Sequence, residues 1–510
     1  MNTLYFGDNL EVLRDKIESN TVNLIYLDPP FQSGKNYNII FDNKAKEAKG
    51  VSAQIQAFED TWEWGPEAEK EYLGLIQGTI TKERPSARLI ELMKAMRGYL
   101  GENSMMAYLA MMAPRLLEMK RVLKDTGSIY LHCDPTASHY LKLLMDAIFG
   151  PENFRSEIIW SLETVSGFKS QANNWIRGHD TILFYTKSNN YTFNKLYLPH
   201  KEEYINRFKK IDEEGRRYRD DRQGGRRQYL DETEGRMLSN VWSDIMSFQQ
   251  AATLKEYLGY PTQKPEALLE RIIKASSNEG DLVLDPFCGC GTAVAVAQRL
   301  NRKWIGIDIT YLAIDIIEKR LEETRNKGEE VNFKIEGAPA DEYSAEKLAE
   351  TNPFQFQYWA VLRIPGGMPN ERKTGDKGID GSIYFTDISK PDKTGKAIIS
   401  VKGGRSINPA MVRDLVGTIQ SNSADFGILV TLPEPTANMK TEAAKQGYFE
   451  YKRMQIPKVQ ILSVKDLFTK PLPIKLPEES IIPAYNIKRI KPKEDTLSFK
   501  DNKDKKEEFE

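Results

Sequence analysis

The sequence feature that most constrains the fold is a short apolar run that ends in an acid, two prolines and an aromatic. Five of the six residues in Val22–Leu27 are apolar or aromatic, the pattern and length of a buried parallel strand. Pro29 and Pro30 fix φ and cannot donate to a strand ladder, so they hold Asp28 and Phe31 just beyond the strand's carboxyl end. Open α/β sheets bind their ligands at that edge. A fixed carboxylate beside a flat ring suits a planar base with an amino group, although the tetrapeptide alone is equally compatible with a proline-stiffened turn.

A second stretch, Asp281–Thr292, predicts a strand, a glycine turn and a helix in succession. Gly289 and Gly291 would let the backbone approach a ligand closely, next to the free N–H groups of the helix N-terminus. The next strand, Trp304–Ile307, ends in Asp308. Its spacing from the turn is close to the roughly twenty residues expected for a carboxylate that holds ribose hydroxyls. The complete unit is much stronger evidence than the glycines alone, which also occur in plain strand–helix packing.

Residues 1 to about 325 resemble the amino-group DNA methyltransferases that use S-adenosylmethionine. Asp28–Phe31 resembles the family's catalytic tetrapeptide, and Asp285–Thr292 resembles its cofactor loop. Pro261–Glu266 resembles the segment that closes over the methionine part of the cofactor, and Gly7–Asn9 the segment that contacts its adenine. The catalytic motif precedes the cofactor loop, which is the permuted order of the β class. The resemblance implies a doubly wound, Rossmann-like α/β sheet with circularly permuted motif order.

The resemblance also assigns roles to individual residues. In methyl transfer to the exocyclic amine of a flipped DNA base, Asp28 and the Pro29 carbonyl would accept the amine hydrogens, and Phe31 would stack on the base. Asp308 would hold the cofactor's ribose and Asp8 its adenine. The residues implied as catalytic are Asp28, Pro29, Pro30 and Phe31, and those implied as cofactor-binding are Asp8, Lys264, Pro265, Asp285, Phe287, Gly289, Gly291, Thr292 and Asp308.

The aspartate that opens the tetrapeptide bears on which atom is methylated. In this family Asp28 favours adenine N6 over cytosine N4. A cytosine N4 DNA methyltransferase stays open as an alternative. Two further alternatives are an RNA or protein-glutamine methyltransferase, and a DNA-binding protein that keeps the fold without activity.

Composition bounds the class of protein. At 510 residues, with 40% hydrophobic and 28% charged residues, the chain should hold two or three globular domains. The three cysteines, two of them inside the glycine turn, form no disulfide framework and no zinc-binding spacing, which favours a reducing cytoplasm. The family resemblance implies a prokaryotic or phage-encoded protein. No leader-like segment or membrane-length apolar run is evident. A net charge of −1 neither indicates nor excludes binding to nucleic acid.

The rest of the first domain reads as a long polar insertion followed by regular elements. Residues 43–103 predict a lid over the site or packing against the domain, with Trp62 and Trp64 as its aromatic residues. A helix is expected at 104–124 and a strand at 127–133, followed by a helix with Pro135 just inside its start and Gly150 just past its end. Strands near 158–160 and 181–185 complete the sheet, and His132 is expected to be buried and hydrogen-bonded.

An arginine-rich segment lies between about residues 190 and 260. Arg216, Arg217, Arg226 and Arg227 alternate with glycines, tyrosines and acids. Arginines contact phosphates and read guanine edges, and tyrosines can stack on bases. A solvated surface loop is the alternative. The target-recognition segment of the permuted family falls in this position, which favours contact with double-stranded DNA.

A second, smaller α/β domain is expected at about 345–470. This region resembles the Mrr-type restriction endonuclease domain, in which an Asp helps to hold Mg²⁺ and a Lys stabilises charge at the attacking water and phosphate. Asp380 and Lys402 match those positions, with a possible Mg²⁺ at Asp380. Ser400 stands where the family has Glu or Gln, and serine is a much poorer Mg²⁺ ligand. An active nuclease, a DNA-binding relic and a partner-binding domain stay open, the first making the chain a single-chain restriction–modification enzyme.

The predicted organisation is thus a methyltransferase domain at 1–340, an endonuclease-like domain at 345–470, and a charged tail at 475–510 that composition marks as disordered. The expected cofactor is S-adenosyl-L-methionine, with Mg²⁺ as a further one for the second domain. The expected partner is double-stranded DNA, and no association with a membrane is expected. A homodimer and a separate restriction endonuclease stay open as further partners.

Overall fold

The computed structural model describes residues 1–30, 36–42, 52–59, 62–162, 173, 175–220, 226–248, 256–258, 260, 262–326, 331–370, 378–386, 394–477 and 481. The first domain has the strands β1 (Asn2–Phe6), β2 (Val22–Leu27), β3 (Asn36–Asp42), β4 (Ser52–Glu59), β5 (Leu123–Cys133), β6 (Phe154–Ser161), β7 (His179–Thr186), β8 (Tyr197–Leu198), β9 (Lys210–Ile211), β10 (Arg217–Asp220), β11 (Arg227–Tyr229), β12 (Arg236–Met237), β13 (Val241–Trp242), β14 (Leu282–Asp285), β15 (Lys303–Asp308) and β16 (Phe333–Glu336). Its helices are α1 (Asn9–Lys16), α2 (Pro66–Gln77), α3 (Ala87–Leu100), α4 (Ser104–Val122), α5 (Ser138–Phe149), α6 (Glu202–Ile205), α7 (Glu266–Ser276), α8 (Thr292–Arg299) and α9 (Tyr311–Asn326).

The main sheet places the two predicted motif strands side by side. Its order is β13-β6-β7-β5-β2-β14-β15-β1-β16, with β7 antiparallel to both of its neighbours and the other pairs parallel. Leu24 pairs with Val283 and Ile25 with Leu284. The strand order runs outward in opposite directions from β2 and β14, so their carboxyl ends flank the switch point where such sheets bind ligands. The mixed α/β sheet confirms the predicted fold class.

Alternate residues of β2 face the two cores of the first domain. Leu24 and Tyr26 join one apolar cluster with α7, α8 and α9, whereas Ile25 and Leu27 join the other with α1, α4 and α5. The two-residue side-chain period explains why an unbroken apolar run forms a strand that is covered on both faces.

The second domain contains α10 (Glu342–Thr351), α11 (Pro353–Leu362), α12 (Pro409–Ser421) and α13 (Ala437–Ala444) and the strands β17 (Met368–Pro369), β18 (Gly381–Thr386), β19 (Thr394–Lys402), β20 (Phe426–Thr431), β21 (Tyr448–Tyr451), β22 (Met454–Pro457) and β23 (Val459–Ser463). Its five-stranded sheet has the order β17-β18-β19-β20-β23. Helices α12 and α13 pack on one face. The other face and α11 share the apolar cluster of α8 and α9 in the first domain.

Several sequence-based expectations are wrong in detail. Residues 43–103 are not one long loop, because they include β4 and the helices α2 and α3, both of which bury an apolar face. Helix α5 begins at Ser138, so Pro135 precedes it, because the carboxylate of Asp134 accepts from the Thr136 N–H and forms a turn there. The arginine-rich segment contains a three-stranded sheet, β11-β10-β9.

The other expected elements agree with the structure to within a few residues at their ends. The charged tail falls outside the described residues, apart from 475–477 and 481. No helix in the part of the chain that the structure describes is long and apolar enough to cross a membrane.

Candidate active site

A cavity of about 830 Å³ opens at the carboxyl ends of the central strands. The turns after β1, β2, β14 and β15 all contribute to it, together with the segment before α7. Most of the predicted site residues meet here: Asp8, Asp28, Pro29, Pro30, Lys264, Asp285, Phe287, Gly289, Thr292 and Asp308 line the cavity. Three predicted residues are not among the lining. Phe31 lies outside the described residues, Pro265 is the N-cap of α7, and Gly291 faces elsewhere.

Asp28 projects into the cavity with its two carboxylate oxygens in different surroundings. Oδ2 accepts from the ammonium group of Lys264, and both side chains are largely buried, 14% and 10% exposed. Oδ1 is buried, and none of the described residues gives it a hydrogen-bond partner. A buried acceptor without a partner is costly, so this atom indicates that a donor from a ligand belongs at this point.

The position of Lys264 differs from its expected role. The resemblance placed this residue in a segment that closes over the methionine part of the cofactor, but its ammonium group lies on the carboxylate of Asp28. Sequence separation hides this pair, since the two residues are 236 positions apart. Lys264 therefore lies at the same end of the cavity as Asp28.

Asp8 and its neighbours are held by a buried arginine that sequence analysis missed. Arg115 of α4 donates to Asp8 Oδ2 at 2.7 Å, to Glu71 Oε1 at 2.8 Å and to Asn9 Oδ1 at 2.7 Å. Asp8 Oδ1 caps α1 by accepting from the Leu10 N–H. Asn9 donates to the Pro286 carbonyl at 2.8 Å, which ties this network to the glycine turn. The available signal was the position of Arg115 within Met105–Leu117, where every other residue is apolar or aromatic.

The glycine turn is hydrogen-bonded directly to Asp308, the last residue of β15. The Gly289 N–H donates to Asp308 Oδ2 at 2.9 Å, and the Thr310 N–H and hydroxyl both donate to Oδ1. Gly289 has φ +49°, a left-handed conformation that favours glycine. Gly291 has φ +75°, and a Cβ there would lie 2.6 Å from Ile317 of α9. Gly291 thus allows close packing against α9 and does not line the cavity, and its approach to a ligand stays a prediction.

Carboxylates dominate the lining of the cavity. The described lining includes seven acidic and two basic side chains: Asp8, Asp28, Glu63, Glu67, Glu71, Asp285 and Asp308 against Arg115 and Lys264. Burial raises the pKa of Asp285 well above its usual value, and the charges of Asp28 and Asp308 add to this shift. Burial also raises the pKa of Asp308. Such a lining favours a cationic ligand and disfavours a polyphosphate.

Tyr26 of β2 belongs to a buried row of hydrogen-bonded side chains that continues through β5 and β7. The Tyr26 hydroxyl lies 3.0 Å from His132 Nδ1, and His132 Nε2 lies 3.2 Å from Asp180 Oδ2. Burial raises the pKa of Asp180, but the hydrogen bond from His132 and the nearby charges of Lys264 and Arg177 outweigh it and lower the pKa. The expectation of a buried, satisfied His132 is confirmed.

Comparison with known proteins identifies the family. A family model described as DNA methylase, for N6 and N4 methyltransferases, matches residues 22–319, more than half of the chain. The chain belongs to this family. A restriction endonuclease family model matches residues 360–467, which agrees with the resemblance found for the second domain.

Three relatives of this chain are named type II or adenine methyltransferases. Type II methyltransferase M.EcaI of Enterobacter cloacae is 30% identical over 262 residues, 42% of this chain and 57% of that protein. M.HpaI of Haemophilus parainfluenzae is 34% identical over 229 residues, 44% and 63% respectively. DNA adenine methyltransferase YhdJ of Escherichia coli is 28% identical over 357 residues, 68% and 86%. The chain thus spans less than two thirds of the length of the first two.

Among solved structures, a putative DNA modification methylase of Thermus thermophilus, complexed with S-adenosyl-L-methionine, aligns with a TM-score of 0.35 at 16% identity, over 66% of this chain and 99% of that one. The likeness is too low to bear on the site.

Aromatic side chains also line the cavity, among them one of the two tryptophans that were expected either to cover the site or to pack against the domain. Trp62 lines it and lies 6.0 Å from Tyr108, whereas Trp64 packs on Tyr72. Phe354 and Tyr358 of α11 also line it. The sequence of α11 is rich in aromatic residues, but it contains no motif that indicates this position.

The four candidate DNA-binding arginines of the methylase differ in availability. Arg216 forms a bidentate pair with Asp231 at 2.7 and 2.9 Å and lies over the ring of Tyr229. Arg217 donates to the backbone carbonyl of Phe208 at 3.1 Å. Arg226 and Arg227 are exposed, with Arg227 over the Tyr218 ring. Arg216 and Arg217 are thus engaged in internal hydrogen bonds, and Arg227 also has one with the side chain of Tyr229.

The candidate nuclease residues cluster at the β18–β19 edge of the second sheet. Asp380 is buried, and its Oδ2 accepts from the Val401 N–H at 2.7 Å and from the Ser400 hydroxyl at 3.3 Å. Lys402 ends β19. Within the described ranges no three His, Cys, Asp or Glu side chains lie together as a metal site. The described side chains do not fit a Mg²⁺ site; Glu371 and Asp376, two acids nearby in sequence, fall outside them.

Proposed function

We propose that this chain is a DNA methyltransferase that methylates an exocyclic amine of a flipped base, adenine N6 first and cytosine N4 as the alternative. The observation that carries the proposal is the buried Asp28 Oδ1, which lacks a partner among the described residues and lines the acidic cavity. An amine hydrogen is the donor that this acceptor would take. The name of the adenine methyltransferase relative supports the choice of adenine.

The cavity suits S-adenosylmethionine by charge. Its described lining has an excess of carboxylates, and the cofactor carries a sulfonium and an ammonium group. Asp308 would hold the ribose hydroxyls, Asp8 the adenine, and the turn from Phe287 to Thr292 the methionine end. When bound, the cofactor supplies an electrophilic methyl group. Cofactor binding would offset the cost of keeping Asp285 and Asp308 ionised in a buried cluster.

Asp28 would act as an acceptor rather than a strong base. Its Oδ1 and the Pro29 carbonyl would accept the two amine hydrogens, which frees the nitrogen lone pair from the ring. Lys264 holds the carboxylate in place through Oδ2. The amine need not lose a proton before transfer, because the proton can leave afterwards. Positioning of this kind accounts for much of the rate in reactions of aligned groups.

The test uses the purified full chain with labelled S-adenosylmethionine and unmethylated duplex DNA, RNA or protein as acceptor. Asp28→Asn keeps the shape but weakens the acceptor, and we expect a loss of roughly 10²–10³ in rate, the usual size for one lost electrostatic contact. Asp125→Asn is the matched control, since Asp125 is 80% exposed. Nucleoside analysis by mass spectrometry separates N6-methyladenine from N4-methylcytosine. Full activity in Asp28→Asn, or methyl label on RNA or protein alone, contradicts the proposal.

Two further proposals concern DNA binding. Arg226 and Arg227 are exposed and would contact DNA phosphates, while Arg216 and Arg217 stabilise the small sheet. The second domain would bind DNA but cleave it weakly or not at all, because Ser400 occupies the ligand position and donates to Asp380.

A further inference from the structure

The cavity is walled partly by α11, a helix that packs on the second sheet and whose last three residues fall within the segment matched by the endonuclease family model, residues 360–467. Helix α11 packs on β17 and β19 of the second sheet and on α9 of the first domain. It starts more than thirty residues after the end of the segment matched by the methylase family model, residues 22–319. Nevertheless Phe354 and Tyr358 of α11 line the cavity. The second domain therefore contributes side chains to the site of the first.

A buried hydrogen bond fixes α11 close to Asp308, the last residue of β15. The Tyr311 N–H donates to Gln355 Oε1 at 2.9 Å. Tyr311 directly follows Thr310, which is bonded to Asp308. Asn352 caps α11 by accepting from the Gln355 N–H at 3.1 Å. The start of α11 is thus held at the end of the cavity that contains Asp308, the residue proposed to hold the ribose.

The contacts at this end suit a flat, apolar-faced group. The rings of Phe354 and Tyr358 lie 4.5 Å apart, centroid to centroid, at an angle of 42°. Ile309, between Asp308 and Thr310, also lines the cavity and is 56% exposed. An exposed isoleucine and a half-buried phenylalanine beside a carboxylate leave apolar surface that a stacked purine would cover.

We propose that Phe354 and Tyr358 form the wall against which the nucleoside of S-adenosylmethionine packs, so that the endonuclease-like domain completes the cofactor site of the methylase domain. This inference rests on the proposed function, because it takes S-adenosylmethionine as the ligand of the cavity. It makes the second domain a determinant of cofactor affinity, independent of any nuclease activity.

Calorimetric titration of the full chain with S-adenosylmethionine tests the proposal without relying on activity. Phe354→Ala should raise Kd by roughly 5- to 150-fold, the range for loss of one aromatic–base stack. Phe354→Leu should give a smaller rise. Tyr343→Ala is the matched control: Tyr343 is a 68% exposed aromatic on α10 that does not line the cavity. Its Kd should equal that of the unaltered chain.

Hydrogen exchange with and without the cofactor guards against misfolding of a variant. In the unaltered chain, amides of residues 353–362 should gain protection when S-adenosylmethionine binds. Equal Kd values for Phe354→Ala and the unaltered chain, or no gain of protection in α11, overturn this inference and leave the proposed function standing. Failure of the unaltered chain to bind S-adenosylmethionine overturns both.

Discussion

Replacing Arg115 by methionine should destabilise the chain more than any single loss of a surface ion pair. The guanidinium group is 7% exposed and contacts Asp8, Glu71 and Asn9. Methionine fills a similar volume without charge. The substitution leaves two carboxylates facing each other without their shared cation, and it removes the donor that orients Asn9 against the glycine turn.

The size of the effect follows from burial. Removing one partner of a buried ion pair costs about 3–5 kcal/mol. Asp8 keeps 33% of its side chain exposed, so water can solvate it in part, and the lower end, about 3 kcal/mol, is expected. With about 2 °C per kcal/mol for a large domain, Tm should fall by roughly 6 °C. Burial already raises the pKa of Glu71 despite Arg115, so Glu71 should take up a proton more readily in the variant and the loss should shrink at acidic pH.

Thermal unfolding of the cofactor-free full chain measures this loss. Arg14→Met is the matched control, because Arg14 is 30% exposed and pairs with the adjacent Asp15. Surface pairs of this kind contribute about 0–1 kcal/mol. If Arg115→Met lowers Tm no more than Arg14→Met does, the argument from buried charge is refuted. A second readout is cofactor affinity, which should fall in Arg115→Met because Asp8 loses its orientation.

Three other outcomes are expected. Asp285→Asn should raise Tm at neutral pH, because burial raises the folded-state pKa of Asp285 and its carboxyl group therefore destabilises the fold increasingly as pH rises above the unfolded pKa of about 4. The gain in Tm should vanish in more acidic buffer, and no gain at neutral pH would show that burial of Asp285 costs little. Arg226→Ala with Arg227→Ala should lower the salt slope of DNA binding by roughly one per lost phosphate contact, and an unchanged slope would indicate a solvated surface. The unaltered chain should nick plasmid weakly or not at all with Mg²⁺, and robust cleavage that is lost in Asp380→Asn would prove this expectation wrong.

The parts of the site that sequence could predict are those set by local backbone chemistry. Pro29 and Pro30 end β2, and Gly289 requires a left-handed turn. Each of these signals needs only neighbouring residues, so the turns after β2 and β14 were predicted in position as well as in type. Their closeness follows from the adjacency of parallel strands in the sheet.

The parts that sequence missed depend on distant side chains. The pairing of Lys264 with Asp28 joins two segments that no short motif links. Arg115 is the one residue within Met105–Leu117 that is neither apolar nor aromatic, and its side-chain partners lie 44 to 107 positions away. The clearance at Gly291 is set by Ile317 of α9, which no sequence spacing around the glycine turn reveals.

The apolar cluster shared by the two domains has a consequence for how such a chain can be divided. Helix α11 packs on the second sheet and on α9 of the first domain, and its Phe356, Trp359 and Val361 are almost fully buried in the common cluster. Dividing the chain near residue 340 would expose the apolar face of α9 in the N-terminal fragment and that of α11 in the C-terminal fragment. Neither fragment would then bury its whole apolar core. If nuclease activity of the second domain were lost in evolution, the folded domain would still be needed, because it covers apolar surface of the first domain.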